Sequence, residues 1–217
     1  PRSTLFPYTT LFRSVKEAKD TDVYAYNIKL SSEGSTFTIA TKTEKFTCTT
    51  KLLGEHNVQN IVGCVTIALH LGLTPEEIQR GISKVEAVQH RLQILPSNNG
   101  TVVIDDAFNS NPVGSKMALD VLKQFDGRKI IITPGMVELG EKENEFNKEF
   151  GKQMAESVDI AILVGIKRSR PIEEGLKEKN FNENNIYVVS NLNEATERLG
   201  KLTKTRRCYS FWKWFAR

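Results

Sequence analysis

An apolar run turns abruptly polar in the stretch Val102-Val103-Ile104-Asp105-Asp106-Ala107-Phe108-Asn109-Ser110-Asn111-Pro112. Its continuous apolar start is typical of a strand that is covered on both faces of a sheet. Asn111 and Pro112 form a helix-start signal, in which an N-cap residue is followed by proline at the first helical position. The stretch therefore predicts a buried strand that leads directly into a helix.

The same pattern recurs along the C-terminal half of the chain. Ile130-Ile131-Ile132 and Ile160–Val164 are further continuous apolar runs, each followed by a helical pattern. The predicted strands lie at 101–105, 129–133, 159–164 and 186–189, and the predicted helices at 113–125, 142–156, 170–179 and 192–203. This alternation indicates an α/β fold with a parallel sheet and right-handed crossovers. Such sheets bind ligands beyond the carboxyl ends of their strands.

A different pattern fills the N-terminal half. β-branched and aromatic residues at 23–28, 36–39 and 46–50 predict an antiparallel meander of three strands. Apolar residues at helical spacing then predict a helix over 55–71. Thr74-Pro75-Glu76-Glu77 begins a second helix, which is predicted to run to about Val85.

Length and composition set limits on the class of protein. A chain of 217 residues can form one large or two small domains, and we place the boundary near residues 91–98, where a turn is predicted. No apolar run approaches the roughly 18–20 residues that cross a bilayer. The three cysteines form no CxxC pair, which argues against a structural zinc site and for a reducing, cytoplasmic compartment.

The net charge of +4 is concentrated at the two ends of the chain. Residues 1–14 and 206–217 contain six basic residues and no acidic residue, so residues 15–205 carry a net charge of −2. A nucleic-acid or membrane partner would therefore have to bind these tails. We expect neither kind of partner.

Both tails look foreign to the sequence between them. The stretch Leu5 to Ser14 can be encoded by what looks like a common sequencing-adaptor sequence, so we interpret residues 1–14 as translated adaptor rather than a natural disordered N-terminus. One back-translation of residues 206–217, shifted by one base, reads Gly-Asp-Val-Ile-Ala-Phe-Gly-Asn-Gly-Ser-Arg, which is a strand followed by a glycine turn. We therefore expect a frameshift after Thr205 and an aberrant tail in place of a final strand.

A first polar cluster opens the helix that is predicted over 55–71. Asn57 and Asn60 are three residues apart and share one helix face, so their amides could read the edge of a base. His56 lies beside them. The alternative, which the spacing alone favours, is that Asn57 simply caps the helix.

A second group lies around the predicted domain boundary and the strand after it. The guanidinium of Arg91 suits a phosphate or ribose, although surface arginines are more common. A carboxylate at the strand's carboxyl end, such as Asp106, can accept hydrogen bonds from ribose hydroxyls, although turns are often rich in Asp and Asn. As magnesium ligands, Asp105 and Asp106 are weak candidates because adjacent strand residues point to opposite faces.

The third cluster, Thr133–Gly140, follows the next buried strand. Its Glu138 could face a cleft, and the alternative is an ordinary strand-to-helix connection. The sequence contains no GxxxxGK[ST] phosphate-binding loop and no GxGxxG after a strand. We therefore name no catalytic residue and no metal ligand in this chain.

Taken in order, these clusters resemble the Mur ligase family of bacterial cell-wall ligases. The order is Gly-x-His-Asn-x-x-Asn from Gly54, His-Arg-Leu from His90, Asp-Asp-x-x-Asn-x-Asn-Pro from Asp105 and Met-x-Glu-Leu-Gly from Met136. The resemblance covers about residues 15–205. It implies that residues 15–93 end an ATP-binding central domain and that residues 94–205 form a Rossmann-like parallel-sheet C-terminal domain.

The resemblance also implies an activity. The parent enzyme would use ATP and Mg²⁺ to join D-alanyl-D-alanine to UDP-N-acetylmuramoyl-tripeptide through an acyl phosphate, in peptidoglycan synthesis. By motif, Asn57 and Asn60 would contact adenine, and Arg91 and Asp106 would contact phosphate or ribose. Asn109 and Asn111 would lie near the same cleft. His56 and Glu138 are weaker candidates for nucleotide binding.

The sequence departs from the family pattern in ways that affect this expectation. The phosphate-binding loop is absent, so we expect no ligation by the chain alone, and Pro134-Gly135 stand where Gly-Asp is commoner. Two alternatives stay open. One is another amide ligase of the superfamily, such as the tripeptide-forming enzyme or folylpolyglutamate synthase, and the other is a non-catalytic nucleotide-binding module.

Overall fold

The computed structural model describes residues 22–95, 101–107, 110–204 and 210–213. The chain divides into two compact units, Pro1–Ala87 and Val88–Arg217. The interpretation of residues 1–14 lies outside the described residues, as does the turn predicted within 96–100. Within the described residues, no helix is both long and apolar enough to span a bilayer.

The first unit begins with the predicted antiparallel meander, which the structure confirms. Its strands are β1 (Val23–Ser31), β2 (Gly34–Thr41) and β3 (Lys45–Thr50), in the order β1-β2-β3. The β-branched and aromatic side chains that favour strands also fill the core, where Phe37 and Ile39 are fully buried.

Two helices complete this unit and lie close to their predicted bounds. Helix α1 spans Glu55–His70 and buries one face, including Val58 and Val62, against the meander. Helix α2 spans Pro75–Ser83 and begins with a capping box, in which the Thr74 hydroxyl accepts from the Glu77 N–H while Glu77 accepts from the Thr74 N–H.

The second unit is the predicted α/β domain, built on a six-stranded sheet in the order β4-β5-β9-β6-β7-β8. The strands are β4 (Gln93–Leu95), β5 (Val102–Asp105), β6 (Lys129–Thr133), β7 (Ile160–Val164), β8 (Ile186–Val189) and β9 (Ser210–Lys213). The helices are α3 (Pro112–Lys123), α4 (Glu143–Ala155), α5 (Arg170–Glu178) and α6 (Leu192–Lys204). The apolar runs of β6 and β7 are buried, as continuous runs predict.

Two strands of this sheet were not predicted. Strand β4 pairs antiparallel with β5, so an antiparallel edge strand is added to the parallel sheet that was predicted. Its three residues are too few to display a periodic pattern. Strand β9 runs parallel between β5 and β6 and lies within residues 206–217, whose interpretation as a frameshifted tail stays a prediction.

Helices α4 and α5 approach each other through two glycines. A Cβ added at Gly175 would overlap the Lys148 carbonyl, and a Cβ added at Gly151 would overlap the Ile172 carbonyl. Glycine is required here for close packing of backbone on backbone. The contact holds together two of the helices that follow the sheet's parallel strands.

Candidate functional site

Two adjacent carboxylates end strand β5 and make different contacts. Asp105 is buried, and its Oδ2 lies 2.9 Å from His90 Nδ1. Since a carboxylate only accepts hydrogen bonds, Nδ1 is the protonated nitrogen of this pair. The other oxygen, Oδ1, accepts from the Ala107 N–H at 3.1 Å. Asp105 therefore holds the end of its own strand and the residue that precedes Arg91.

Asp106 binds a different partner from Asp105, and the pKa of its carboxyl group is raised. Its Oδ1 accepts a hydrogen bond from the Leu92 N–H at 3.1 Å. Burial raises the pKa of its carboxyl group from 3.8 to about 6, although the Leu92 N–H and the Arg91 charge act in the opposite direction. A half-buried carboxyl group with such a pKa, at the carboxyl end of a strand, is typical of a functional site.

The segment that these carboxylates hold has a strained backbone. His90 and Leu92 both have left-handed φ angles, of 64° and 45°, although neither is glycine. Conformations of this kind cost about 1–3 kcal/mol each and persist only where the surroundings enforce them. Arg91 lies exposed between the two, so the strain sets the direction in which this arginine leaves the chain.

The structure places the predicted site residues of the second unit in different surroundings. The structure places Arg91 near Asp106, because the next residue, Leu92, donates to Asp106 Oδ1 and the Arg91 charge lowers the pKa of Asp106. Asn111 is the predicted N-cap, since its Oδ1 accepts from the Gly114 N–H at 2.9 Å. Asn109 lies outside the described residues. Among the described residues, no three His, Cys, Asp or Glu side chains form a group that could hold a metal ion.

The candidates in the first unit lie in the first turn and a half of α1. The alternative that Asn57 caps this helix is wrong, because Gly54 is the N-cap and the Asn57 amide donates instead to the Leu53 carbonyl at 2.8 Å. Asn60 is exposed and His56 is half-buried. Burial lowers the pKa of His56, which favours its neutral form.

The loop after β6 carries Glu138, which is exposed and has a φ of 62°. Its neighbour Met136 is fixed by Asn147, whose side chain accepts from the Met136 N–H at 2.8 Å and donates to the Met136 carbonyl at 2.9 Å. A Cβ on Gly135 would lie 2.7 Å from the same amide oxygen. Sequence reasoning missed Asn147, because a lone Asn within a helical pattern gives no signal of a contact eleven residues away.

Sequence reasoning also missed His90 and Asp105 as a pair. Each stood beside a candidate residue, but their contact depends on the antiparallel pairing of β4 with β5, in which Gln93 lies opposite Asp105. Since β4 itself was not predicted, no local pattern could place His90 against this carboxylate.

Two family models match the chain. The Mur ligase middle domain matches residues 6–68, and the glutamate ligase domain of Mur ligases matches residues 90–207, which is more than half of the chain. The chain belongs to the Mur ligase family. The first match begins inside residues 1–14, the segment that was interpreted as translated adaptor.

Known Mur ligases resemble the chain over most of its length. The UDP-N-acetylmuramoyl-tripeptide–D-alanyl-D-alanine ligase of Haemophilus influenzae is 31% identical over 77% of this chain and 36% of that protein. The chain thus spans just over a third of this relative. A crystal structure of MurF from Acinetobacter baumannii matches with a TM-score of 0.75 and 27% identity, covering 93% of this chain and 43% of that one. MurF from Thermotoga maritima in complex with ADP has a TM-score of 0.70 at 17% identity, which shows the fold alone, over 90% of this chain and 43% of that one.

Proposed function

We propose that the chain is part of an ATP-dependent amide ligase that adds D-alanyl-D-alanine to UDP-N-acetylmuramoyl-tripeptide in peptidoglycan synthesis. The observation that carries the proposal is the hydrogen bond from the Leu92 N–H to the half-buried Asp106, which places the segment that carries Arg91 at the carboxyl end of β5, in a chain of this family. The names of its relatives specify the substrates. A cytoplasmic location belongs to the same proposal.

In this proposal the second unit binds nucleotide. The Arg91 guanidinium pairs with phosphate or ribose oxygens, and the Asp106 carboxylate accepts a hydrogen bond from a ribose hydroxyl. For Asn57, Asn60, His56, Asn109, Asn111 and Glu138, a role in binding nucleotide stays a prediction from the resemblance. ATP would convert a substrate carboxylate into an acyl phosphate, which the amine of D-alanyl-D-alanine attacks.

Magnesium enters the proposal only through residues other than those described. The described residues offer no group of three ligands, and Asp105 and Asp106 each hold a different protein N–H. We therefore assign no step of the reaction through magnesium to this chain.

Calorimetry with ADP tests the nucleotide site. We expect the wild-type chain to bind ADP with a Kd of about 1 mM or tighter, and Arg91→Ala to weaken binding at least tenfold, since a charge-assisted hydrogen bond contributes roughly 1.5–3 kcal/mol. Arg168→Ala is the matched control, because Arg168 is an exposed arginine of the same unit. Equal affinities of Arg91→Ala and wild type would contradict the proposal.

A second candidate function is a nucleotide-binding module without catalysis. The observation that favours it is the raised pKa of the half-buried Asp106 near Arg91, which a nucleotide site accounts for without any catalytic step. A ligation assay with the purified chain separates the two, because a module binds ADP and forms no product from D-alanyl-D-alanine and UDP-N-acetylmuramoyl-tripeptide.

A further inference from the structure

The residues on either side of Arg91 are each held by a different carboxylate. His90 contacts Asp105 Oδ2 through Nδ1 at 2.9 Å, and the Leu92 N–H donates to Asp106 Oδ1 at 3.1 Å. The two adjacent carboxylates therefore hold the first and the last residue of the segment His90–Leu92.

These contacts act together with two further hydrogen bonds, from the Arg91 N–H to the Val88 carbonyl at 3.0 Å and from the His90 N–H to Gln93 Oε1 at 3.4 Å. The four contacts maintain a conformation that the chain would not adopt unaided. His90 and Leu92, one on each side of Arg91, have left-handed φ angles although neither is glycine. Leu92 is held both by its N–H and by its side chain, which is buried. His90 is only half-buried, so its contact with the buried carboxylate of Asp105 is the principal restraint on its side chain.

We propose that His90 and Asp105 are a positioning pair, whose hydrogen bond fixes the backbone that presents Arg91 to the phosphate or ribose of a bound nucleotide. The identity of the ligand rests on the proposed function of Arg91. The claim that the pair holds the backbone rests only on the contacts of His90. Neither residue of the pair needs to touch the nucleotide. Asp105 is already engaged by His90 and by the Ala107 N–H.

Two substitutions at His90 separate the effect of its side-chain hydrogen bond from the effect of its backbone conformation. Glycine and asparagine both tolerate a positive φ, so neither adds backbone strain at this position. His90→Asn keeps a donor near the position of Nδ1, whereas His90→Gly removes it. His70→Ala is the control, because His70 is an exposed histidine at the end of α1 in the other unit.

Hydrogen exchange of the Leu92 amide tests the structural step without any ligand. We expect His90→Gly to speed exchange at this amide on the order of tenfold or more, and His90→Asn to stay within about threefold of wild type, as the loss or retention of one charge-assisted hydrogen bond predicts. Unchanged exchange in His90→Gly would overturn the positioning role.

Calorimetry with ADP on the same full-length chains tests the functional step. We expect His90→Gly to weaken binding about tenfold and His90→Asn to restore it to within about threefold. If His90→Gly speeds exchange but binds ADP as wild type does, the inference is wrong. If Arg91→Ala also binds as wild type does, the proposed function of Arg91 fails, and the exchange result alone decides whether the pair holds the segment.

Discussion

At the residue scale, the properties of Asp106 arise from its surroundings rather than from its local sequence. Its position after an apolar run indicated a carboxylate at the end of a strand, and the structure confirms this position. Its pKa and its contact with the Leu92 N–H could not be predicted, because both depend on a segment fourteen residues earlier. Asn111 was predictable as an N-cap, because its contact with Gly114 lies within one helical turn.

The raised pKa of Asp106 predicts a specific pH dependence of stability. Because its pKa in the folded chain is about 6, against an ordinary value of 3.8, the folded state binds the proton more tightly. The resulting stabilisation is fully present below about pH 4 and is lost as the pH rises through about 6. Asp106→Asn keeps an acceptor for Leu92 without the charge, so we expect it to stabilise the second unit at pH 7 by roughly 2 kcal/mol, after allowance for partial exposure.

Titration of the carboxyl carbons by NMR, together with denaturant unfolding between pH 4 and pH 7.5, measures both effects. Asp120→Asn is the control, since Asp120 is an exposed residue of α3. A titration midpoint of Asp106 below about 4.5, or identical pH profiles for Asp106→Asn and wild type, would show that burial does not govern this group.

At the element scale, segments with an apolar run or a helical pattern were predictable, and the three-residue strand β4 was not. Strand β6 and strand β8 begin and end where the sequence predicted, and the helices differ from prediction by one or two residues at their ends. Strand β4 has three residues and pairs antiparallel with β5. Such a strand is stabilised by its neighbour rather than by its own pattern, so sequence alone did not indicate it.

The glycine contact between α4 and α5 yields a prediction at this scale. We expect Gly175→Ala to lower the free energy of unfolding of the second unit by about 1–3 kcal/mol, because the new Cβ would overlap the Lys148 carbonyl and force the two helices apart. Gly200→Ala is the matched control within α6, since no atom lies within 4 Å of its added Cβ. It should be neutral or stabilise the unit by up to about 1 kcal/mol.

Thermal and denaturant unfolding of the two variants compare these effects directly. If Gly175→Ala were as stable as Gly200→Ala, the helices would have room to spare, and the close approach of their backbones would not be a constraint on the fold.

At the scale of the whole molecule, the order of the motifs conveyed more than any single motif. An ordinary structural explanation exists for each of Asn57, Arg91, Asp106 and Glu138. The order of their motifs along the chain nevertheless indicated the Mur ligase family, which the family models then showed. Fold and family were therefore accessible from sequence. The detailed site was not, because the contacts of His90 and Asn147 depend on pairing and packing between distant segments.

The most direct test of the central claim is an NMR titration of the isotope-labelled chain with ADP. If Arg91 and Asp106 bind nucleotide, the largest shifts in the second unit will fall on the Leu92 and Ala107 amides and on the Asp106 carboxyl carbon, and Arg91→Ala will require at least tenfold more ADP to reach the same shifts. The absence of shifts at these positions with several millimolar ADP, or the same ADP dependence in Arg91→Ala as in the wild type, would contradict the claim that these two residues form the nucleotide site.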